Sequence, residues 1–402
     1  MKDLKNLLYF ENLLAEANND LVRRAKEDGQ VAIGNVCYQI PEVLLNLPGC
    51  FSTRLRAPGT TSMEMGTYYM TSLTCEYCRA MLERALEGGY QFIDCMFDPA
   101  SCSQLADCME NMEELGVGSG EKFFIQHVDT PMKDDENGIQ HMTRMSRVRV
   151  LDKLQEVFGI DTSDEAMRKA VELHNEVCRL ITEMGQYRKL ANPTITGYEF
   201  AVFTLASYCC PKDLILPYLR ETVEELKTRV ADKVNPYRVR VLVAGSEIDD
   251  PMFIKLIEDS GAYIAVDRFC FGSLPGRQEI ILNASEDVLT QICRINVLEC
   301  QCPRYMNTSK INGRKEYLNR LAREYHADGI IFQQMNFCNF WGYERAGANH
   351  ILTQDYNWPV LSVDRPYVVG NSGQLRTRIQ AFIERIEIKK LQGGDPHGKA
   401  NQ

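Results

Sequence analysis

The sequence predicts an α/β protein in which two doubly wound parallel-sheet units, of the Rossmann or flavodoxin kind, flank a helical segment. Short apolar runs alternate with helical patterns in the regions 30–150 and 236–390. The stretch between them, 151–235, carries helical periodicity instead. A chain of 402 residues with 45% apolar content also has enough material for more than one core.

The second region is the clearer. Strands are expected at 239–244, 262–266, 329–333 and 359–363, each followed by a loop and then a helical pattern. Such a strand–helix alternation is the signature of a parallel sheet with helical crossovers. In the first region, strands are expected at 31–34, 90–96 and 122–128. In the middle segment, Thr162-Ser163-Asp164-Glu165 reads as a capping box opening a long helix, and Asn192-Pro193 breaks the helical run. Residues 1–29 are expected to form an N-terminal helix, with Leu4, Leu7, Leu8 and Leu14 on its apolar face. The last segment, 391–402, reads as a flexible tail.

Charge and composition exclude several functions. The net charge is −10 and no basic run stands out, which argues against nucleic acid as a partner. No stretch approaches the ~20 apolar residues needed to span a bilayer, and the N-terminus mixes acidic residues into its apolar pattern, unlike a signal peptide. A cytoplasmic protein with no membrane partner is expected.

Fifteen cysteines are unusual in such a chain. In a cytoplasmic setting, metal binding or redox chemistry is a better reading than disulfides. Most of the fifteen are expected to be small core residues, with Cys178 and Cys293 as examples. Cys75, Cys102 and Cys338 are different. Each stands just before a helical pattern, and the last two follow expected strands. In open α/β sheets ligands bind beyond the carboxyl ends of the strands. Helix starts there offer free N–H groups and partial positive charge, which favour thiolates and anionic clusters. Three cysteines drawn from both regions would hold a cluster in the cleft between them and leave one iron open. Cys75-x-x-Cys78 is a lone pair with Cys78 inside a helix, and Cys300-x-Cys302 fits zinc or simple burial equally well.

At these residues the sequence resembles the 2-hydroxyacyl-CoA dehydratase/benzoyl-CoA reductase family, and within it the D-component type of iron–sulfur subunit. The carriers are TCEYCR around Cys75, FDPASC ending at Cys102, DGIIFQQMNFCNFWGYE around Cys338, and GQLRTRIQAFIE at 373–384. The likeness runs from about residue 30 to 388. It implies two α/β domains with a helical part, and a [4Fe–4S] cluster held by Cys75, Cys102 and Cys338. It also implies an acyl-CoA thioester substrate, pairing with a related second subunit or with itself, and a separate ATP-hydrolysing iron–sulfur activator. The last fits the lack of a GxxxxGK[ST] loop in this sequence.

The implied chemistry is a one-electron dehydration. The β-hydrogen of a 2-hydroxyacyl-CoA is not acidic enough for ordinary elimination. An electron placed on the thioester carbonyl gives a ketyl radical that expels the 2-hydroxyl group, with the open iron as Lewis acid. Ring reduction of an aromatic thioester is the alternative. Double-cubane relatives carry additional cluster ligands, and Cys37, Cys78, Cys95 and Cys108 crowd the first region beyond the three expected. A non-catalytic subunit that relays electrons is a further reading. Arg376 and Arg378 are candidates for the coenzyme A phosphates or the cluster's electrostatics, and equally for structural ion pairs.

Overall fold

The computed structural model describes residues 1–118, 120–232, 236–273, 277–368 and 373–392. Most of the expected tail, 393–402, lies outside the described residues.

The chain forms two four-stranded sheets, all strands parallel, surrounded by helices. The first contains β1 (Val31–Asn35), β2 (Cys50–Arg54), β3 (Cys95–Pro99) and β4 (Phe124–Val128). The second contains β5 (Val239–Gly245), β6 (Ala262–Phe269), β7 (Gly329–Met335) and β8 (Val360–Arg365). Their orders, β2-β1-β3-β4 and β6-β5-β7-β8, are the same. In each sheet the winding reverses beside the first strand, and loops leaving that crevice are where such folds bind ligands.

Some local readings need correction. β2 is an additional strand. Its CFSTR sequence carries Ser52, Thr53 and Arg54, yet every residue is buried, so a polar run hides a core strand. The strand expected at 90–96 runs instead from Cys95 to Pro99, so Asp98-Pro99 closes the strand and is not a turn. The N-terminal segment forms two helices, Leu7–Ala15 and Asp20–Glu27, because the Asn19 side chain accepts from Val22 N–H and starts a new helix. The long helix Asp164–Gln186 is capped by Ser163 through Ala166 N–H, without the expected capping box. That motif occurs at Thr196 and Glu199, opening the helix Gly197–Cys209.

The two sheets share one apolar core. It runs from Phe10 and Leu14 through Met81, Met96 and Phe203 to Phe271, Met335 and Tyr367. At the winding reversal of the second sheet, Gly245 lies opposite Gln333 of β7 with φ +135°. A Cβ there would stand 1.8 Å from the Gln333 carbonyl oxygen. Gly245→Ala is therefore expected to destabilise the protein by about 2 kcal/mol or more, from backbone strain and a backbone clash. A lowered thermal unfolding midpoint checks this.

Candidate metal centre

Cys75, Cys102 and Cys338 occupy the same local position, the residue immediately before a helix. The helices are Glu76–Leu86, Ser103–Glu114 and Asn339–Gln354. None of the three thiols makes a regular side-chain cap, although first-turn N–H groups of its own helix face each sulfur. Cys102 stands three residues beyond Pro99, the end of β3, and Cys338 three residues beyond Met335, the end of β7. These strands hold equivalent places in the two sheets.

The turn carrying Cys338 is strained and pinned. Phe337 adopts φ +64°, a conformation that a bulky side chain rarely takes. Asn336 holds the turn against the helix after Cys75: its carbonyl accepts from Glu76 N–H at 3.3 Å, and its amide donates to the Glu76 carboxylate at 3.0 Å. The other carboxylate oxygen accepts from Tyr367 N–H at 2.6 Å. One side chain thus ties the first half's cysteine helix to two loops of the second half.

The three cysteines line one cavity, partly open to solvent. Cys37, Cys78, Cys270 and Cys302 line it as well, with Tyr38, Arg54, Glu247, Phe271 and Trp341 among its other walls. Hydrogen bonds from the Cys338 and Cys78 thiols hold Cys75 well below the ordinary thiol range, assisted by the backbone N–H groups of Cys78 and Tyr77. Donating those bonds raises Cys338 and Cys78 in turn. Burial pushes Cys102 up to about 12, and Cys37 and Cys302 up to about 11. These thiols give up protons only in exchange for a cation. Glu247 Oε1 lies 3.8 Å from the Cys75 sulfur, and burial, then the charge on Cys75, raise its carboxyl well above the usual range.

Among the described residues no three or more His, Cys, Asp or Glu groups are grouped as a single metal ion would need. The cysteines ring a cavity instead. A single ion needs donors about 2.0–2.3 Å from one point, whereas cluster ligands are spread around a larger body. The donor set is mainly thiol, is backed by three helix starts, and suits an iron–sulfur cluster in kind.

Other expectations resolve in different ways. Cys95 and Cys108 are fully buried core residues. Cys178 is buried in the helix Asp164–Gln186 with its sulfur 3.3 Å from His174 Nε2, and Cys293 is buried against Ser146. Cys300 turns away from the cavity, to the Tyr38 hydroxyl at 3.1 Å, while its neighbour Cys302 faces in. Arg376 and Arg378 lie outside the cysteine cavity. Arg378 donates to the Ser362 carbonyl at 2.8 Å, and Arg376 lines a separate cleft beside Asp249, Asp250 and Asp259. Sequence reasoning missed Cys270, Glu247 and Arg54. Their shared feature emerges only with the folded sheets: Cys270 and Glu247 come one and two residues after strand ends, and Arg54 ends β2.

Two parallel sheets of matched winding, with a cysteine-lined cavity beyond their strand ends, define an α/β protein with a thiol-rich site. The chain belongs to the family of the 2-hydroxyglutaryl-CoA dehydratase D-component, which it matches over residues 37–386. It is 24% identical over 391 residues to the beta subunit of (R)-phenyllactyl-CoA dehydratase from Clostridium sporogenes, covering 94% of this chain and 97% of the relative. Subunit beta of (R)-2-hydroxyglutaryl-CoA dehydratase from Acidaminococcus fermentans is 23% identical over 376 residues, 91% of this chain and 95% of its own. A putative dehydratase subunit from Escherichia coli K12, YjiM, is 20% identical over 370 residues, 90% and 93% of the two chains.

Proposed function

We propose that this chain is the iron–sulfur subunit of an ATP-activated radical enzyme that dehydrates an (R)-2-hydroxyacyl-CoA, with Cys75, Cys102 and Cys338 holding a [4Fe–4S] cluster. The observation that carries the reading is the convergence of these three helix-start cysteines, from both halves, on one cavity. When bound, such a cluster supplies a low-potential electron and an open iron that polarises a substrate oxygen. The protein's own part is electrostatic and steric. Three helix starts favour thiolate charge, and Phe271 and Trp341 make part of the wall apolar. The partners are an acyl-CoA thioester, a related second subunit or a second copy of this chain, and an ATP-hydrolysing activator. The setting is the cytoplasm; no helix among the described residues is long and apolar enough to cross a membrane.

A second reading has an observation of its own. Cys37, Cys270 and Cys302 share the cavity with the first three, giving six cysteines around one space besides Cys78. Such a set suits a double cubane, and with it a reductase in place of a dehydratase. Purification without oxygen followed by iron and sulfide assay separates the two. About four iron per chain is expected for one cubane and about eight for two. A colourless protein without iron overturns both. Assay with the activator and second subunit against (R)-phenyllactyl-CoA, (R)-2-hydroxyglutaryl-CoA and an aromatic thioester then identifies the reaction.

A further inference from the structure

One wall of the cysteine cavity carries a buried guanidinium, two of whose N–H groups make no hydrogen bond among the described residues. Arg54, the last residue of β2, is 4% exposed and lines the cavity. Its guanidinium lies over the rings of Tyr208 and Phe271, at 4.6 and 5.1 Å from their centroids. Nε and Nη2 reach no solvent and make no hydrogen bond among the described residues. The carboxylate acting most on Arg54 is Glu42, which is already bonded to Lys212 at 2.6 Å and to the Ser52 hydroxyl at 3.1 Å. Arg277 adds a further buried cation to the same carboxylate's field. Three cations thus stand against one carboxylate. Arginine does not shed its proton in proteins, and a buried charge without a partner is strongly unfavourable. Aromatic faces offset only part of this. The wall calls for an anion, and the cavity is the space beside it.

We infer that Arg54 is the positioning cation of the iron–sulfur group, its Nε–H and Nη2–H donating to sulfur of that group. The inference rests on the cluster reading above. A thiolate-bound cluster is anionic and gains a further negative charge on reduction. A fixed cation therefore stabilises the reduced form more and raises the reduction potential. Arg54 does not react; it sets where the group sits and how readily it accepts an electron.

The test compares the wild-type chain with Arg54→Met and Arg54→Lys, purified without oxygen. Iron content, EPR-monitored redox titration and thermal unfolding of the iron-free proteins are measured. Arg54→Met is expected to keep its iron while its one-electron reduction equilibrium shifts about tenfold toward the oxidised form, about 59 mV. Arg54→Lys should shift less. Iron-free Arg54→Met should unfold at the same temperature as the iron-free wild type or higher, because an unpaired buried charge is gone. Loss of iron from Arg54→Met but not from Arg54→Lys supports the same role. Full iron with an unchanged potential overturns the inference. So does an iron-free Arg54→Met that unfolds well below the wild type, because Arg54 would then have a structural partner. A wild-type chain that binds no iron overturns the cluster reading itself, and is recognised separately from the variants.

Discussion

Cys338→Ser protein prepared without oxygen is expected to lose most of its iron and all turnover, whereas Cys178→Ser keeps both. Both are free thiols, Cys178 buried and Cys338 half-buried, and only Cys338 lines the cavity, so the difference tests placement. Cys338 starts a helix at the cavity, behind a turn held in a strained conformation by Glu76 and Arg365: Asn336 N–H donates to the Arg365 carbonyl at 2.9 Å. Serine there keeps the backbone but exchanges a soft, ionisable ligand for a hydroxyl that binds iron poorly. Cys178 sits mid-helix against His174 and does not line the cavity. Its replacement removes one buried contact and leaves every cavity wall in place. Iron assay and the visible charge-transfer absorption of the purified proteins read the result directly. Equal losses in both variants would place the ligands elsewhere.

The isolated chain is expected to show no turnover with any acyl-CoA under mild reductants. Activity should appear only when the second subunit, the activator, ATP with Mg²⁺ and a strong reductant are supplied together. The proposed electron lies at a potential that ordinary donors do not reach, so its transfer must be coupled to ATP hydrolysis. The 402 residues hold no phosphate-binding loop that would do this within the chain. The proposed radical intermediate must also be shielded, and the cavity is partly open to solvent. The effect is all-or-none, and omitting each component in turn from the assay measures it. Turnover by the chain alone without ATP contradicts the electron path.

The long-period features of the fold were legible in the sequence. β5 to β8 follow Val- and Ile-rich runs, because a parallel strand covered on both faces must be apolar throughout. β2 was not legible, since its polar residues are satisfied by side-chain and distant partners: Ser52 by the Asn46 amide, Thr53 by Cys209 and Arg54 by the Tyr208 ring. The boundary of β3 was misread because Pro99 and Asp98 usually mark turns. Here Asp98 is held within the strand by β4, where the His127 ring nitrogen lies 3.0 Å from its carboxylate. At the site, Cys75, Cys102 and Cys338 could be singled out because each combines a reactive residue with a recognisable helix start. Cys270 and Cys302 could not, because their shared cavity exists only once both sheets are wound. Arg54 is invisible for the same reason: its lack of a partner is a property of the packed interior.

The identical winding of the two sheets has a consequence for how this centre can vary. Matched strand ends act as a coordinate system. Counting three residues beyond β3 and β7 gives cysteine in both halves, Cys102 and Cys338. Counting two beyond β1 and β5 gives Cys37 in one half and Glu247 in the other. Position is therefore inherited from the backbone, while ligand identity is a free choice at each address. A Cys-for-Glu or Glu-for-Cys substitution at such an address exchanges oxygen for sulfur or the reverse without moving the scaffold. The same frame can thereby be retuned from a hard to a soft donor set, one loop at a time.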